Sequence, residues 1–310
     1  MNFGIIGFGR IAKKFCESIK ETEGKVYAIA SHSIEENDPY LLQNPEVKIY
    51  RDYEELLNDS NVEAVYIAVP HKFHKQWVIR ALKHHKAVLC EKPAVLSSKD
   101  MKEIRDVAYQ EKTYFLEALK TKLNDGMEHL KQDLALIGEV KTIEANFCSN
   151  ALMAKGTGSF LFDQEQGGAL NDVGPYLVGF ALDLIDSPVK DVQGLVKVVD
   201  GIEEHFFGRI LFENKVEALL EGAIDEQKDR EATITGTLGQ IKVPMFNRII
   251  GYTVYLPNEQ VIERNYPIKG TDMTKQIQCL IDDVHAGKIE NDRHSLQDSI
   301  DVITVMEQIR

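Results

Sequence analysis

The chain has 310 residues, with 36 Lys and Arg against 49 Asp and Glu, a net charge of -13, and 44% hydrophobic residues. This length allows two domains with substantial cores. An acidic chain without a basic block is a poor candidate for binding nucleic acid or an anionic membrane surface. No apolar run approaches the ~20 residues of a membrane span, so we expect neither a nucleic-acid nor a membrane partner.

The cysteine and histidine positions predict a reduced, cytoplasmic protein without a metal site. The four cysteines are widely scattered, which fits neither a disulfide framework nor a zinc pattern. The first residues already have the pattern of a strand, which leaves no room for a signal peptide. His71 and His74 are close in sequence, but no cysteine or carboxylate stands at a spacing suited to completing a metal site with them.

The N-terminal segment has the pattern of a dinucleotide-binding turn. An apolar strand at 2–6 is followed by two glycines and then by a helical pattern. Gly7 permits a tight turn, Gly9 lets the backbone approach a pyrophosphate, and Ala12 lets the helix pack close to the strand. The pyrophosphate would lie at the helix N-terminus, where N–H groups and the dipole favour anions. The candidate cofactor contacts in this segment are Gly7, Phe8, Gly9, Arg10 and Ile11.

The end of the second predicted strand bears on the choice between NAD and NADP. This strand, at 26–30, is followed by Ser31, His32 and Ser33. NAD enzymes usually have an acid here that binds the ribose hydroxyls. Two hydroxyls and an imidazole could hold the 2′-phosphate of NADP, although an ordinary imidazole is mostly neutral at pH 7. The sequence therefore slightly favours NADP and leaves NAD open.

Two later strand ends are predicted to face the same cleft. An apolar strand at 62–69 ends at Pro70, and the apolar run 88–90 ends in Glu91-Lys92-Pro93. Ligands of open parallel sheets bind just beyond the carboxyl ends of the strands. We therefore expect Lys92 to point into the cleft, the alternative being an ordinary solvated Glu-Lys pair. The candidate cofactor contacts at these strand ends are Ala68, Val69, Pro70, His71, His74, Glu91, Lys92 and Pro93.

The order of elements predicts two domains of different type. Strands and helices alternate over the first ~118 residues, which predicts a doubly wound parallel sheet. From 189 to 264 strand follows strand with short turns, which is typical of an antiparallel sheet. We predict an α/β protein with an N-terminal Rossmann domain at 1–119. A C-terminal α+β domain with a largely antiparallel sheet would occupy 120–310, its last helix being a candidate to pack back on the Rossmann domain.

Three motifs in register resemble the glucose–fructose oxidoreductase/inositol dehydrogenase/rhizopine-catabolism (Gfo/Idh/MocA) family. They are Gly7-Phe8-Gly9, Glu91-Lys92-Pro93 and the segment Gly-Gly-Ala-Leu-Asn-Asp-Val-Gly-Pro-Tyr at 167–176. The likeness covers essentially the whole chain, and 81–93 and 117–146 look most similar to its dimeric dihydrodiol dehydrogenase/D-xylose dehydrogenase branch. The resemblance implies NAD(P)-dependent oxidation or reduction of a sugar, cyclitol or related diol. It also implies a homodimer or homotetramer formed through the C-terminal sheet.

Lys92, Asp172 and Tyr176 are the candidate catalytic residues. Hydride transfer to a nicotinamide needs a base for the alcohol proton and a cation for the developing alkoxide. Tyr176 is the candidate acid/base, and a Lys92 ammonium nearby would lower its pKa from about 10. The resemblance implies Lys, Asp and His or Tyr at these three positions. In isolation, Asp172 would be a helix cap and Tyr176 a half-buried core aromatic.

The place of Asp172 depends on where its helix begins. One helical turn separates it from Tyr176, so the two would share a face. Proline prefers the first turn of a helix, and Pro175 could therefore leave Asp172 in the preceding turn. In either position Asp172 could orient substrate hydroxyls or hold Lys92 in place.

The chain departs from the dihydrodiol branch near residue 120. Where that branch often has an aromatic followed by Thr-Arg-Phe, this chain has Lys120-Thr121-Lys122-Leu123. Two lysines near the substrate could select an anion such as a sugar acid or phosphate, the alternative being solvated surface lysines. Two other functions stay open, a regulatory sensor that binds nucleotide without turnover and a reductase of a non-sugar carbonyl or imine. A pure sensor has no need of the three candidate catalytic residues, so the sequence favours an enzyme.

Overall fold

The computed structural model describes residues 1–35, 37–257 and 259–310. Its contacts divide the chain into two compact units. The first unit comprises Met1–Ala118 and Lys269–Ile300, and the second comprises Leu119–Ile268 and Asp301–Arg310. Among the described residues, no helix has the length and apolar character that crossing a membrane requires.

The strands and helices follow one another closely along the chain. The strands are β1 (Asn2–Ile6), β2 (Lys25–Ala30), β3 (Lys48–Tyr50), β4 (Ala64–Ile67), β5 (Ala87–Cys90), β6 (Phe115–Glu117), β7 (Val140–Cys148), β8 (Val189–Val199), β9 (Ile202–Phe212), β10 (Glu217–Ala223), β11 (Glu231–Gly236), β12 (Gln240–Pro244), β13 (Gly251–Tyr255) and β14 (Val261–Asn265). The helices are α1 (Arg10–Ser18), α2 (Pro39–Gln43), α3 (Tyr53–Asn58), α4 (His74–Lys83), α5 (Ser98–Glu111), α6 (Asp125–Asp133), α7 (Ala169–Leu184), α8 (Thr274–His285) and α9 (Leu296–Ile309).

The first unit contains a parallel sheet. In the described ranges, its strand order is β3-β2-β1-β4-β5-β6, and each neighbouring pair is parallel. Every residue of β4 and β5 is buried, as expected where helices cover both faces of a sheet. The strand order reverses between β1 and β4, and ligands of such sheets bind beyond the carboxyl ends of the strands at this point. The predicted doubly wound sheet is confirmed.

The segment 269–300 belongs to the first unit, whereas the sequence-based division keeps it in the second domain. Helix α8 packs against β5. The Phe115 N–H donates to the Ile289 carbonyl at 3.1 Å, and the Tyr114 hydroxyl donates to Asp283 at 2.7 Å. The unit boundary falls inside α9, after Ile300. These hydrogen bonds join residues remote in sequence, so the local pattern of an amphipathic helix gives no sign of them.

The second unit contains a largely antiparallel sheet, as predicted. The strand order among the described residues is β14-β13-β12-β11-β7-β10-β9-β8. Strands β7 and β10 are parallel, and the other neighbouring pairs are antiparallel. Helix α7 packs on β7, β9 and β10, and alternate residues of β9 are buried. The sheet therefore has one face covered by α7 and one open face.

Candidate active site

The first unit brings four predicted cofactor-binding segments to one edge of its sheet. Residues 7–11, 31–33, 68–71 and 91–93 follow β1, β2, β4 and β5, respectively. These four strands are neighbours in the order β2-β1-β4-β5 and run parallel. The segments therefore share the carboxyl edge at which ligands of doubly wound sheets bind.

The turn after β1 has the geometry that a bound pyrophosphate requires. Gly7 has φ +87°, and a Cβ built on it would lie 2.8 Å from the Ala68 carbonyl oxygen. Gly9 precedes α1 without a side-chain cap, and a Cβ on Gly9 would meet no described atom within 4 Å. The backbone N–H groups of the first helical turn thus border open space, which fits an anionic group of a dinucleotide.

A cavity of about 400 Å³ adjoins this turn in the first unit. Ser33 lines it, whereas Ser31 is only 3% exposed and its Oγ accepts the Ser33 N–H at 3.3 Å. The His32 ring lies 4.5 Å, centroid to centroid, from the Tyr53 ring. The residues lining the cavity are Phe8, Lys13, Ser33, Ile34, Glu35, Asn37, Asp38 and Pro39.

Lys13 is a candidate cofactor contact that the sequence analysis missed. Its ammonium lies 2.7 Å from Asp38 Oδ2 at the wall of the cavity. The Lys13 ammonium and the Ser33 hydroxyl offer hydrogen-bond donors to a ribose phosphate. Glu35 and Asp38, which also line the cavity, offer acceptors to ribose hydroxyls. The linear pattern gives no sign that α1 turns Lys13 towards the segment after β2, so this contact could not be inferred from spacing.

The loop after β5 carries Lys92, which is partly exposed. The Glu91 N–H donates to the Ile67 carbonyl at 3.0 Å. The Tyr66 hydroxyl donates to Glu91 Oε1 at 2.5 Å, and the Lys92–Pro93 peptide bond is cis. The Glu91 side chain is therefore tied to β4, and the loop begins from a fixed position.

His74 does not occupy the position expected of a cofactor contact. Its side chain is 0% exposed. Nδ1 lies 2.9 Å from the Pro93 carbonyl oxygen, and Nε2 lies 2.8 Å from that of Val69. Burial lowers the pKa of His74. The side chain joins the two loops from inside the unit, while His71 is the partly exposed histidine of the pair.

In the second unit, α7 carries Asp172 and Tyr176. The helix begins at Ala169 after Gly168, whose φ is +92°, and the Asp172 N–H donates to the Gly168 carbonyl at 3.1 Å. Asp172 thus lies in the first turn and Tyr176 one turn later. Pro175 lies inside the helix, so the alternative in which Asp172 precedes the helix is wrong.

Two cationic side chains of the second unit, Lys120 and Arg230, interact with Tyr176. The Lys120 ammonium lies 6.0 Å from the Tyr176 ring centroid, within cation–π range. Burial and the neighbouring Arg248 lower the pKa of Arg230, while Asp172 and Tyr176 act in the opposite direction. The five groups therefore share one electrostatic environment. The two arginines belong to no recognisable motif, so the sequence does not predict their place beside Tyr176.

Lys122 is neither a substrate-facing lysine nor a solvated one. Its side chain is 2% exposed, and its ammonium lies 3.6 Å from Asp183 Oδ1. Lys131 approaches the same carboxylate oxygen at 2.8 Å. The buried ammonium therefore neutralises a carboxylate on α7. Of the two lysines predicted to select an anionic substrate, Lys120 is the partly exposed one.

One group of potential metal ligands lies on the open face of the second sheet. One ligand atom each of Cys148, His205 and Glu221 lies within 4.8 Å of the others. His205 Nδ1 is 3.1 Å from Asp225 Oδ1, and the Lys228 ammonium is 2.6 Å from Glu221 Oε1. This ammonium already neutralises the carboxylate, so we assign no metal here, and the expected absence of a metal site stays a prediction.

Comparison with known proteins extends these observations. A family model described as "Oxidoreductase family, NAD-binding Rossmann fold" matches residues 1–118, and a GFO/IDH/MocA C-terminal domain model matches 133–242. The chain is 27% identical over 320 aligned positions to the scyllo-inositol 2-dehydrogenase (NADP(+)) IolU of Bacillus subtilis, covering 100% of this chain and 96% of the relative. It is 26% identical over 326 positions to a trans-1,2-dihydrobenzene-1,2-diol dehydrogenase of Xenopus laevis, covering 99% and 96%.

Two solved structures share the fold over the whole chain. The KijD10 3-ketoreductase from Actinomadura kijaniata, in complex with NADP and TDP-benzene, has a TM-score of 0.89 and 20% identity, covering 100% of this chain and 97% of that chain. An aldose-aldose oxidoreductase from Caulobacter crescentus has a TM-score of 0.88 and 17% identity, covering 100% and 96%.

Proposed function

Because the chain belongs to the Gfo/Idh/MocA family of NAD(P)-binding oxidoreductases, we propose that it transfers a hydride between NADP and a secondary alcohol of a sugar, cyclitol or related diol. Two relatives are named as dehydrogenases of scyllo-inositol and of trans-1,2-dihydrobenzene-1,2-diol. Both compounds carry hydroxyl groups on neighbouring ring carbons. We therefore propose a ring polyol as the substrate class and oxidation of one hydroxyl to a ketone as the reaction.

The roles of the candidate catalytic residues follow from their chemistry. Tyr176 takes the alcohol proton during oxidation and returns it during reduction. Lys120 and Arg230, in the same electrostatic environment as Tyr176, favour its phenolate form. Lys92 stabilises the alkoxide that develops as the proton leaves, and Asp172 accepts a hydrogen bond from a neighbouring substrate hydroxyl. A bound nicotinamide would supply the acceptor for the hydride of the alcohol carbon.

The main support for this proposal is the position of Tyr176 on α7, close to an acidic and a basic side chain. Asp172 precedes it by one helical turn, and the Lys120 ammonium lies 6.0 Å from its ring centroid. A hydroxyl that exchanges protons with a polyol needs a charged group to stabilise its ionised form and an acceptor to orient the neighbouring hydroxyls. Both are present within one unit.

The test of the function is a turnover assay with ring polyols. We expect wild-type protein to reduce NADP in the presence of at least one cyclitol, pyranose sugar or cyclic trans-diol. We expect Lys92→Ala to lower kcat by about 100-fold or more, because the alkoxide loses its cation. Wild-type kcat in Lys92→Ala would contradict the role of Lys92. NADPH binding without turnover of any of the three classes would favour the sensor.

We further propose that NADP is preferred to NAD because Lys13 and Ser33 bind the 2′-phosphate. Lys13→Ala should weaken NADPH binding ~10–100-fold and leave NADH binding unchanged, because a hydrogen bond to a charged group contributes ~1.5–3 kcal/mol. Parallel fluorescence titrations with NADPH and NADH measure both affinities. The matched control is Lys14→Ala on the same helix, whose ammonium pairs with Asp272 instead. Equal losses for the two coenzymes would contradict the assignment.

We also propose a cytoplasmic homodimer or homotetramer that associates through the open face of the second sheet. Large apolar side chains are exposed on three neighbouring strands of this sheet: Leu195 on β8, Phe207 on β9 and Leu219 on β10. Free thiols at all four cysteines support a reducing compartment.

A further inference from the structure

The loop that carries Lys92 is held on one side by His74. The Nδ1 atom of this fully buried ring lies 2.9 Å from the Pro93 carbonyl oxygen, immediately after Lys92. The Nε2 atom lies 2.8 Å from the Val69 carbonyl oxygen. Both neighbours are carbonyl oxygens, so the neutral ring donates to one of them and only the imidazolium donates to both. In either form the ring lies between the loop after β5 and the loop after β4, in the interior of the first unit.

Glu117, at the end of β6, holds the same loop on the other side. Its Oε1 accepts the Ala94 N–H at 2.9 Å, and its Oε2 lies 3.5 Å from His294 Nε2. Burial raises the pKa of Glu117. The opposing effect of His294 and the Ala94 N–H is larger, so the pKa of Glu117 lies below its usual value. The carboxylate therefore stays ionised while only 5% exposed.

His294 comes from the segment 269–300, far from the loop in sequence but in the same unit. Its Nδ1 is buried and has no hydrogen-bond partner in the part of the chain that the structure describes. The nitrogen that faces Glu117 is Nε2, and an N–H there can donate to the carboxylate. The C-terminal segment thus contributes a buried partner for the carboxylate that holds the loop.

We propose that His74, Glu117 and His294 are positioning residues that fix the backbone around Lys92 and thereby place its ammonium for the reaction. The inference rests on the proposed function, in which Lys92 stabilises the developing alkoxide. The lysine ammonium lies at the end of a flexible four-carbon stem. A shift of the backbone therefore moves the whole range of positions that the charge can reach. A displacement of about 1 Å of a reacting group can cost ~100-fold in rate.

A double-mutant cycle on kcat for polyol oxidation tests the positioning role. His74→Ala and Glu117→Ala should each lower kcat by about 100-fold. Glu117→Gln should recover most of the kcat, because the amide oxygen can still accept the Ala94 N–H. In a Lys92→Ala background the same substitutions should have little further effect, because the group that they position is gone.

A measurement independent of turnover accompanies the cycle. Hydrogen–deuterium exchange of the peptide spanning 91–97 should be faster in His74→Ala and Glu117→Ala and close to wild type in Glu117→Gln. The matched control is Asp59→Asn, which alters a carboxylate of the same unit that accepts hydrogen bonds from Lys48, Tyr50 and Asn61 rather than from the Lys92 loop. We expect this control to lower stability without changing exchange of the 91–97 peptide.

The outcomes separate this inference from the proposed function. Wild-type kcat in Lys92→Ala contradicts the role of Lys92 itself. A large loss of kcat in Lys92→Ala supports the proposed function. If His74→Ala or Glu117→Ala then lowers kcat by the same factor in the wild-type and Lys92→Ala backgrounds, the positioning role is wrong while the proposed function stands. If the kcat of Lys92→Ala is too low for a further loss to be measured, hydrogen–deuterium exchange of the 91–97 peptide tests the positioning role instead. Unchanged exchange of the 91–97 peptide in both alanine variants then overturns the inference.

Discussion

Tyr176 differs from an ordinary core aromatic in the charges around it. Its side chain is 8% exposed, Lys120 approaches its ring, and Asp172 and Arg230 interact electrostatically with each other, as do Arg230 and Tyr176. Packing alone does not require two cations and a carboxylate in this arrangement. A hydroxyl that takes up and releases a proton does benefit from the two cations, because they stabilise its ionised form, and the carboxylate can accept a hydrogen bond from a substrate hydroxyl. Removal of this one hydroxyl therefore tests the chemistry directly.

We expect Tyr176→Phe to lower kcat for polyol oxidation by ~10²–10⁴-fold, the usual contribution of a general acid/base. The Kd of NADPH and the thermal midpoint should change little, because the ring is retained. Steady-state kinetics and a coenzyme titration measure these effects. The control is Tyr255→Phe, which removes the hydroxyl of an exposed tyrosine in the same unit. Full activity in Tyr176→Phe would restore the interpretation of Tyr176 as a core aromatic.

Sequence analysis can locate site residues that a local motif defines. Gly7 and Gly9 are recognisable because the turn after β1 demands them, and Asp172 and Tyr176 because one helical turn separates them. Lys13, Arg230 and His294 escaped prediction because their neighbours in space are remote in sequence. A single sequence shows the identity of such a residue but not what it contacts.

The sequence also does not show which sheet a helix packs against. The apolar pattern of α8 predicts a helix, but an amphipathic helix can cover either sheet equally well. Its contacts with β5, together with the hydrogen bond from Tyr114 to Asp283, place it in the first unit. The start of α7 was uncertain for a different reason. Pro175 suggested a first turn, but the helix accommodates it in its interior and begins at Ala169.

The carboxylate of Asp59 joins several elements at one side of the parallel sheet. It follows α3 and accepts hydrogen bonds from the Asn61 N–H at 2.9 Å, the Tyr50 hydroxyl at 2.7 Å and the Lys48 ammonium at 3.0 Å. The Asn61 N–H and the Tyr50 hydroxyl, with a contribution from Lys48, hold the pKa of Asp59 well below its usual value. Tyr50 and Lys48 belong to β3, so this carboxylate fastens the edge strand.

This network predicts how stability depends on pH. A carboxyl with a lowered folded-state pKa stabilises the fold above its unfolded pKa of about 3.9. That stabilisation is lost as the pH falls from about 5 through the folded-state pKa. We expect Asp59→Asn to lower the free energy of unfolding at pH 7 and to reduce its decrease between pH 5 and pH 2. Urea unfolding across this range measures both effects.

The control for this prediction is Asp106→Asn, whose side chain is 67% exposed and pairs with the adjacent Arg105. Exposed ion pairs contribute little to stability, so this variant should follow the wild-type pH dependence. An unchanged pH dependence in Asp59→Asn would show that other carboxylates dominate the acid sensitivity of the protein.

At the scale of the whole molecule, the open face of the second sheet carries a cluster of exposed apolar side chains. Leu195, Phe207 and Leu219 are 69%, 47% and 40% exposed. They lie on the adjacent strands β8, β9 and β10, and Leu195 and Phe207 are register partners. Such clustered exposure is typical of an interaction surface, because isolated exposed apolar residues are common but contiguous patches are not.

We expect the wild-type protein to elute as a dimer or tetramer and Phe207→Glu to shift it to a monomer. A stable interface buries about 800 Å² on each partner, and a carboxylate near its centre would lose hydration without gaining a counter-charge. Light scattering coupled to size-exclusion chromatography measures the mass. Leu238→Glu is the matched control, because Leu238 is equally apolar and 57% exposed but lies in the turn between β11 and β12. An oligomer retained in Phe207→Glu, or a monomeric wild type, would contradict association through this face.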